Sequence, residues 1–208
     1  MTISTWNPPQ LTDDEIEARL GNHSGLVGVD RTRMSRLICE QLAFGIASRT
    51  LDSFAVTDVL QALEGHPKYN HMKREPFNHP QRRGPFKRIP LKGLLHAHFL
   101  QAAFVPKNID LEMKNDDSKV QIDKVIENTN LSVDEKVKIS SYKGTIGMYK
   151  SRSDRGALTG EWIIYAENLG RRYYLAIAPH FECDMVIYNR MMERCEEHFQ
   201  HIILSATS

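Results

Sequence analysis

The sequence predicts an α+β fold, in which a helical N-terminal part precedes a C-terminal antiparallel sheet packed against helices. Helix-capping signals and apolar residues at helical spacing fill residues 1–65. Two runs rich in aromatic and β-branched residues enclose a turn within 162–178, which is typical of a hairpin. Residues 66–90 contain too many prolines for a long helix or a central strand. These observations divide the chain into 1–65, 66–90 and 91–208.

Three helices are expected in the N-terminal region. The residues from Thr12 to Glu15 form a capping box, which starts the first helix. Asp30 is a capping residue for the second helix, and Gly65 ends the third. Their predicted ranges are about 12–20, 30–48 and 57–64.

The basic loop, residues 66–90, carries an unusual concentration of charge. Residues 66–92 hold eight basic side chains and one acidic one, a net charge of +7, although the whole chain is only +1. Such a concentration is typical of a protein that binds a polyanion. Aromatic residues lie among the cations, and bases can stack on Tyr69, Phe77 or Phe86. The predicted nucleic-acid-binding residues are Lys73, Arg74, Arg82, Arg83, Lys87, Arg88 and Lys92. An anionic protein partner and a merely solvated loop are the alternatives.

The C-terminal region is predicted from the same signals. Pro90 favours a helix start, and apolar side chains at helical spacing predict a helix over 91–105. Ser132 begins a second capping box, whereas the glycines of 143–160 indicate a flexible connection. The hairpin at 162–178 is apolar on both faces, so it should be central to a sheet covered on each side. Further predictions are helices at about 120–127, 133–143 and 184–197 and a terminal strand at 199–204.

Three histidines are candidates for acid-base chemistry. His96 and His98 follow the basic loop, and their relation depends on local structure, because residues two apart share a face on a strand but diverge on a helix. The predicted helix separates them, with His98 among apolar side chains and His96 beside Lys92. One of the two is a candidate general acid or base, and the alternative is a core histidine with a solvated neighbour. His180 follows the hairpin, at the rim of the predicted sheet, where side chains often carry chemistry.

The side chains of a tetrahedral zinc site are present at His180, Cys183, Cys195 and His198. The helix predicted over 184–197 would separate the two cysteines by about 18 Å, at ~1.5 Å per residue. Zinc–sulfur bonds of ~2.3 Å cannot bridge that distance. No phosphate-binding glycine loop of nucleotide enzymes is present in the sequence. The sequence therefore predicts neither a metal site nor a cofactor.

The cysteines and the apolar runs predict the compartment. Cys39, Cys183 and Cys195 are odd in number and scattered, which does not indicate a disulfide framework. Residues 1–9 lack the pattern of a signal peptide, and polar residues interrupt the apolar run at 94–105. We therefore expect a cytoplasmic protein without a membrane partner.

The order of elements resembles that of the small metal-independent ribonucleases represented by barnase, EndoU, colicin and RelE-type toxins. The resemblance covers about residues 91–204 and depends on a histidine-bearing helix followed by a hairpin rich in Tyr and Ile with an Arg-rich turn. It implies a toxin-like bacterial hydrolase with a histidine on the helix and further active residues on the sheet. The charged stretch 107–160 departs from this plan. The matching positions are His96 or His98, together with Tyr165 and His180.

The leading prediction is an endoribonuclease that works without a metal ion. In this prediction the basic loop binds phosphates, and His96 or His98 takes the proton of the 2′-hydroxyl. His180 or Tyr165 assists the leaving oxygen or the phosphoryl charge. Two other classes stay open, namely a noncatalytic nucleic-acid-binding regulatory module and a protein-interaction role such as an immunity or antitoxin protein. The expected partner is RNA, with a cognate protein as the alternative.

Overall fold

The computed structural model describes residues 6–67, 83–99, 104–154 and 160–208. The chain divides into two compact units. The sheet unit is formed by residues 1–100 and 160–208, and the helical unit by residues 101–159. This division differs from the predicted one, because the N-terminal helices pack on a sheet whose strands come from both sides of the helical unit in sequence.

A four-stranded antiparallel sheet forms the centre of the sheet unit, which confirms the α+β prediction. The predicted hairpin is also confirmed, since its two strands pair along their whole length. The strands lie in the order β1-β2-β3-β4. They are β1 (Arg83–Pro85), β2 (Leu95–Phe99), β3 (Glu161–Asn168) and β4 (Arg171–Pro179).

The predicted helix over 91–105 is wrong, because its centre is strand β2. Gly93 has a φ of +98°, and a Cβ there would lie 1.9 Å from the carbonyl oxygen of Ala206, so the chain turns at this position as only glycine can. The Phe86 N–H donates to the Leu94 oxygen at 2.8 Å, which closes the loop between β1 and β2. Backbone pairing with β3 then overrides the helical spacing of the apolar residues.

Among residues 6–67, three α-helices precede the sheet: α1 (Asp13–Leu20), α2 (Arg36–Ser48) and α3 (Ser53–Leu63). The capping box of α1 is confirmed at Thr12 and Glu15. Asp30 does not cap α2, because its carboxylate caps a short 3-10 turn and Ser35 caps the helix. Helix α2 contacts strand β4 through Gln41, whose side chain bonds both the N–H and the carbonyl of Ile177 at 2.7 and 2.8 Å. Gln41 thereby supplies backbone partners at the open edge of the sheet.

The sheet has two buried faces. The tyrosine face is defined by Ile163, Tyr165, Tyr174 and Ile177, and it packs against the N-terminal helices. The histidine face is defined by His96, His98, Trp162 and Ile164, and its apolar residues pack with α8 (Asp184–Arg194) and α9 (Glu197–Thr207). The terminal strand predicted at 199–204 is therefore wrong. Phe199 and Ile203, one helical turn apart, are both buried in this core.

The helical unit contains α4 (Phe104–Met113), α5 (Asp116–Glu127), α6 (Val133–Tyr142) and α7 (Met148–Asp154). The capping box at Ser132 is confirmed. The flexible connection predicted over 143–160 is wrong as far as residue 154, since a π-helical turn joins α6 to α7 and Met148 and Tyr149 are buried. Within the described ranges, no helix has both the length and the apolar character needed to cross a membrane.

Candidate active site

Strand β2 brings His96 and His98 to the same face of the sheet. Their ring centroids are 5.2 Å apart, and the rings meet edge to face. On β3, Ile164 is the backbone partner of His96 and Trp162 is the backbone partner of His98. A helix would have separated the side chains of His96 and His98, whereas the strand places them on the same face.

His180 joins the two histidines from the end of β4. Its backbone N–H donates to the Gly160 oxygen at 3.2 Å, which holds the first residue after the strand beside the start of β3. Its ring centroid lies 5.7 Å from that of His98 and 4.4 Å from that of Trp162. We call His96, His98, His180, Trp162 and Phe86 the histidine cluster. All three histidines predicted from the sequence belong to it.

His96 is more desolvated than His180. Its ring lies between Phe86 and Trp162, with centroid distances of 4.8 and 5.3 Å. Burial, with a smaller contribution from the charge on His180, lowers the pKa of His96 to about 4. Its Nδ1 atom is buried and has no hydrogen-bond partner in the part of the chain that the structure describes. His96 is therefore neutral near pH 7.

His180 lies at the edge of the cluster and is exposed. One side of its ring contacts Trp162, and this partial desolvation lowers the pKa of His180. The turn that carries it is fixed by a buried ion pair, because Arg190 of α8 donates two bonds of 2.7 and 2.6 Å to the Glu182 carboxylate. The Glu182 N–H also donates to the Pro179 oxygen at 3.1 Å. These contacts position His180 relative to the sheet.

Trp162 contacts all three histidines and was missed by the sequence analysis. Its Nε1–H donates to Nε2 of His98 at 3.3 Å, and its ring meets Phe86 edge to face at 5.2 Å. Trp162 contacts the histidines because β2 pairs with β3. The helix predicted over 91–105 had excluded this pairing. One signal was available in the sequence, because Trp162 starts the apolar run of the predicted hairpin.

Tyr165 does not belong to the cluster, although the sequence analysis proposed it as an active residue. It points to the tyrosine face, where it is 2% exposed and lies 6.3 Å from the Tyr174 ring. Burial raises the pKa of Tyr165. Side chains of neighbouring residues on a strand point to opposite faces, and so Trp162, Ile164 and Tyr165 cannot all line one site.

The basic loop is described only in part. Lys73, Arg74, Arg82, Tyr69 and Phe77 lie outside the described residues. Lys87, Arg88 and Lys92 are exposed in the turn that joins β1 to β2. Arg83 is also exposed, but it is not on the side of the histidines, because its neighbour Gly84 is the residue of β1 that faces His96. Three of the predicted nucleic-acid-binding cations are thus exposed in the turn that follows Phe86.

Phe86 is not a surface for stacking bases, which corrects the sequence analysis. Only 8% of it is exposed, and its ring is occupied by contacts with His96 and Trp162. It supports the histidine cluster from within the core.

No metal site is apparent. The described residues include no group of three or more His, Cys, Asp or Glu side chains that could hold a metal ion. Cys183 and Cys195 lie at opposite ends of α8, as the helix prediction required. The imidazoles of the cluster are packed against the rings of Phe86 and Trp162.

No protein-family model, curated protein or solved structure matches this chain. The functional argument therefore depends on the geometry of the histidine cluster.

Proposed function

We propose that the protein is a metal-independent endoribonuclease whose reaction site is the histidine cluster. The observation that carries the proposal is the convergence of His96, His98 and His180 from two strand regions on one side of the sheet. Cleavage of RNA needs one group to accept a proton and another to donate one, and histidine suits both roles near neutral pH. The cluster supplies both within one site.

In the proposed reaction, the 2′-oxygen of a ribose attacks the adjacent phosphorus. His96 or His98 accepts the 2′-hydroxyl proton, and His180 donates a proton to the 5′-oxygen as its bond to phosphorus breaks. The products are a 2′,3′-cyclic phosphate and a free 5′-hydroxyl. His96 is suited to accept a proton because its low pKa keeps it neutral, and His180 is suited to meet the leaving group because it is exposed.

Charge supports RNA as the substrate. Lys87, Arg88 and Lys92 are exposed in the turn that joins β1 to β2, which also carries Phe86 of the cluster, and cations of this kind bind phosphates. A phosphodiester beside His180 would favour the charged form of this proposed proton donor. We place this activity in a reducing compartment such as the cytoplasm, supported by three free cysteines in the described residues.

The direct test is cleavage of labelled RNA by the purified full chain in EDTA. We expect His96→Ala and His180→Ala to lower the rate by about 100-fold or more. His201→Ala is the matched control, since His201 is an exposed histidine on α9 outside the cluster, and it should cleave at the wild-type rate. A substrate with a single 2′-deoxy linkage should stay intact at that linkage.

Undiminished cleavage by the double variant His96→Ala/His98→Ala would remove these histidines from the mechanism. Cleavage of the 2′-deoxy linkage would contradict attack by the 2′-oxygen.

A second candidate is a noncatalytic nucleic-acid-binding module, which the exposed Lys87, Arg88 and Lys92 also support. It predicts binding that weakens steeply with salt and no turnover. A role as an immunity or antitoxin protein instead predicts a stoichiometric protein complex and indifference to RNA. Production of the protein alone in cells separates them, because only the active ribonuclease should be toxic.

A further inference from the structure

We propose that His96 is the base of this site and that Trp162 is a positioning residue that excludes His98 from proton transfer. The inference rests on the proposed function and deepens it, because the residues alone left His96 and His98 as equal candidates. The structure distinguishes them by what each ring nitrogen contacts. The hydrogen bond from Nε1 of Trp162 to Nε2 of His98, at 3.3 Å, is the main observation.

This hydrogen bond determines which nitrogen of a neutral His98 ring carries the proton. The indole N–H can only donate, so Nε2 of His98 must accept with its lone pair. A neutral imidazole has one such lone pair, and its proton is then on Nδ1. A general base needs an available lone pair, and that of His98 is engaged by Trp162. His98 is therefore a positioning residue and not the base.

Trp162 cannot easily release His98, because it is fixed by its surroundings. It is only 9% exposed and meets Phe86 edge to face at 5.2 Å. The same ring contacts His180 at a centroid distance of 4.4 Å. This contact partly desolvates His180 and lowers its pKa. One tryptophan thus acts on two histidines in different ways.

His96 has the opposite environment. No hydrogen bond occupies its ring among the residues that the structure describes, and its Nδ1 atom is buried against the core. Its Nε2 atom is therefore left to accept a proton from a substrate. The surrounding aromatic rings keep it neutral until it does so.

The protonation of His98 can be measured directly by nitrogen NMR of the histidine rings in the full chain. We expect Nδ1 of His98 to carry the proton and Nε2 to be unprotonated at neutral pH. Trp162→Phe keeps an aromatic ring but removes the donor, so His98 should change to a mixture of both tautomers. Trp6→Phe, at the other tryptophan, is the control and should leave the His98 signals unchanged. A wild-type His98 with its proton on Nε2 would overturn the inference.

Cleavage assays test the assignment of the base. In His98→Gln a side-chain oxygen can still accept from Trp162, so we expect a rate within about tenfold of wild type and an unchanged pH profile. His96→Gln should lose about 100-fold or more and lack the rise in rate on the acidic side. Equal losses in the two variants would refute the assignment.

The two proposals can fail separately. A wild-type protein that cleaves no RNA overturns the proposed function and the assignment of a base. The tautomer of His98 is read from the spectrum in either case, and it decides whether Trp162 positions that ring.

Discussion

The two faces of the sheet differ in the hydrogen bonding of two buried polar groups, the Tyr174 hydroxyl and Nδ1 of His96. On the tyrosine face, Tyr174 donates to one oxygen of Glu64 and Arg33 donates to the other, both at 2.5 Å. On the histidine face, Nδ1 of His96 is buried with no hydrogen-bond partner in the described residues. Buried polar groups usually have partners, and exceptions are concentrated at functional sites. The two faces therefore differ in how completely their buried polar groups are paired.

The same contrast appears in the titration of the two faces. Burial and the hydrogen bond to Glu64 raise the pKa of Tyr174, and burial lowers the pKa of His96 to about 4. Both side chains are consequently neutral near pH 7. Of the two, His96 is the side chain that gains a charge as the pH falls toward 4.

The largest effect is expected from breaking the network of the tyrosine face. Glu64→Ala leaves Arg33 and the Tyr174 hydroxyl without their shared acceptor, which should lower the free energy of unfolding by about 3 kcal/mol. Glu64→Gln is the matched control, because it keeps an acceptor for one of the two partners and should lose less. Urea unfolding measures both. A loss below about 1 kcal/mol for Glu64→Ala would mean that this network does not stabilise the fold.

The next effect concerns pH and belongs to His96. Its pKa in the folded protein, about 4, lies below the ordinary value of about 6.5, so the unfolded chain binds the proton more tightly. The contribution of neutral His96 to the free energy of unfolding is thus fully present above about pH 6.5, and it is lost as the pH falls toward 4. The loss should be on the order of 2 to 3 kcal/mol.

Measuring the free energy of unfolding of wild type and His96→Leu between pH 7 and 4 isolates this contribution. The variant lacks the titrating group, so its advantage over wild type should grow as the pH falls. Parallel curves for the two proteins would contradict the assigned desolvation of His96.

A smaller effect is expected at the ion pair that holds His180 in place. Arg190→Lys keeps the charge but loses one of the two bonds to Glu182, which should lower stability by about 1 to 2 kcal/mol. It should also shift the NMR signals of His180 and reduce RNA cleavage. Arg194→Lys is the control on the same helix, since Arg194 pairs with Glu40 instead. Arg194→Lys should lose a comparable amount of stability but leave the His180 NMR signals and RNA cleavage unchanged. If both variants changed the His180 signals and cleavage equally, Arg190 would not be the residue that positions His180.

The sequence predicted the hairpin well and the site only in part, for physical reasons. Strands β3 and β4 are adjacent and rich in β-forming residues, so local signals suffice to identify them. Strand β2 has five residues, and its partner Trp162 lies 64 positions after His98. Pairing between residues so far apart leaves no local signal in the sequence, and the helical spacing of the nearby leucines predicted a helix instead. The histidines were identified by their chemistry, but which of them share a face depended on that distant pairing.

The smallest expected effect is the most direct test of the contrast between the faces. At pH 7, His96→Leu replaces a buried ring that has an unpaired nitrogen by an apolar side chain of similar size, which should raise the free energy of unfolding by about 1 kcal/mol. The same substitution should abolish the proposed cleavage, because it removes the base. His201→Leu, at an exposed position, should change stability by less than about 0.5 kcal/mol and leave cleavage intact. A destabilised His96→Leu protein would instead show that the imidazole supports the fold, and the histidine face would then resemble the tyrosine face.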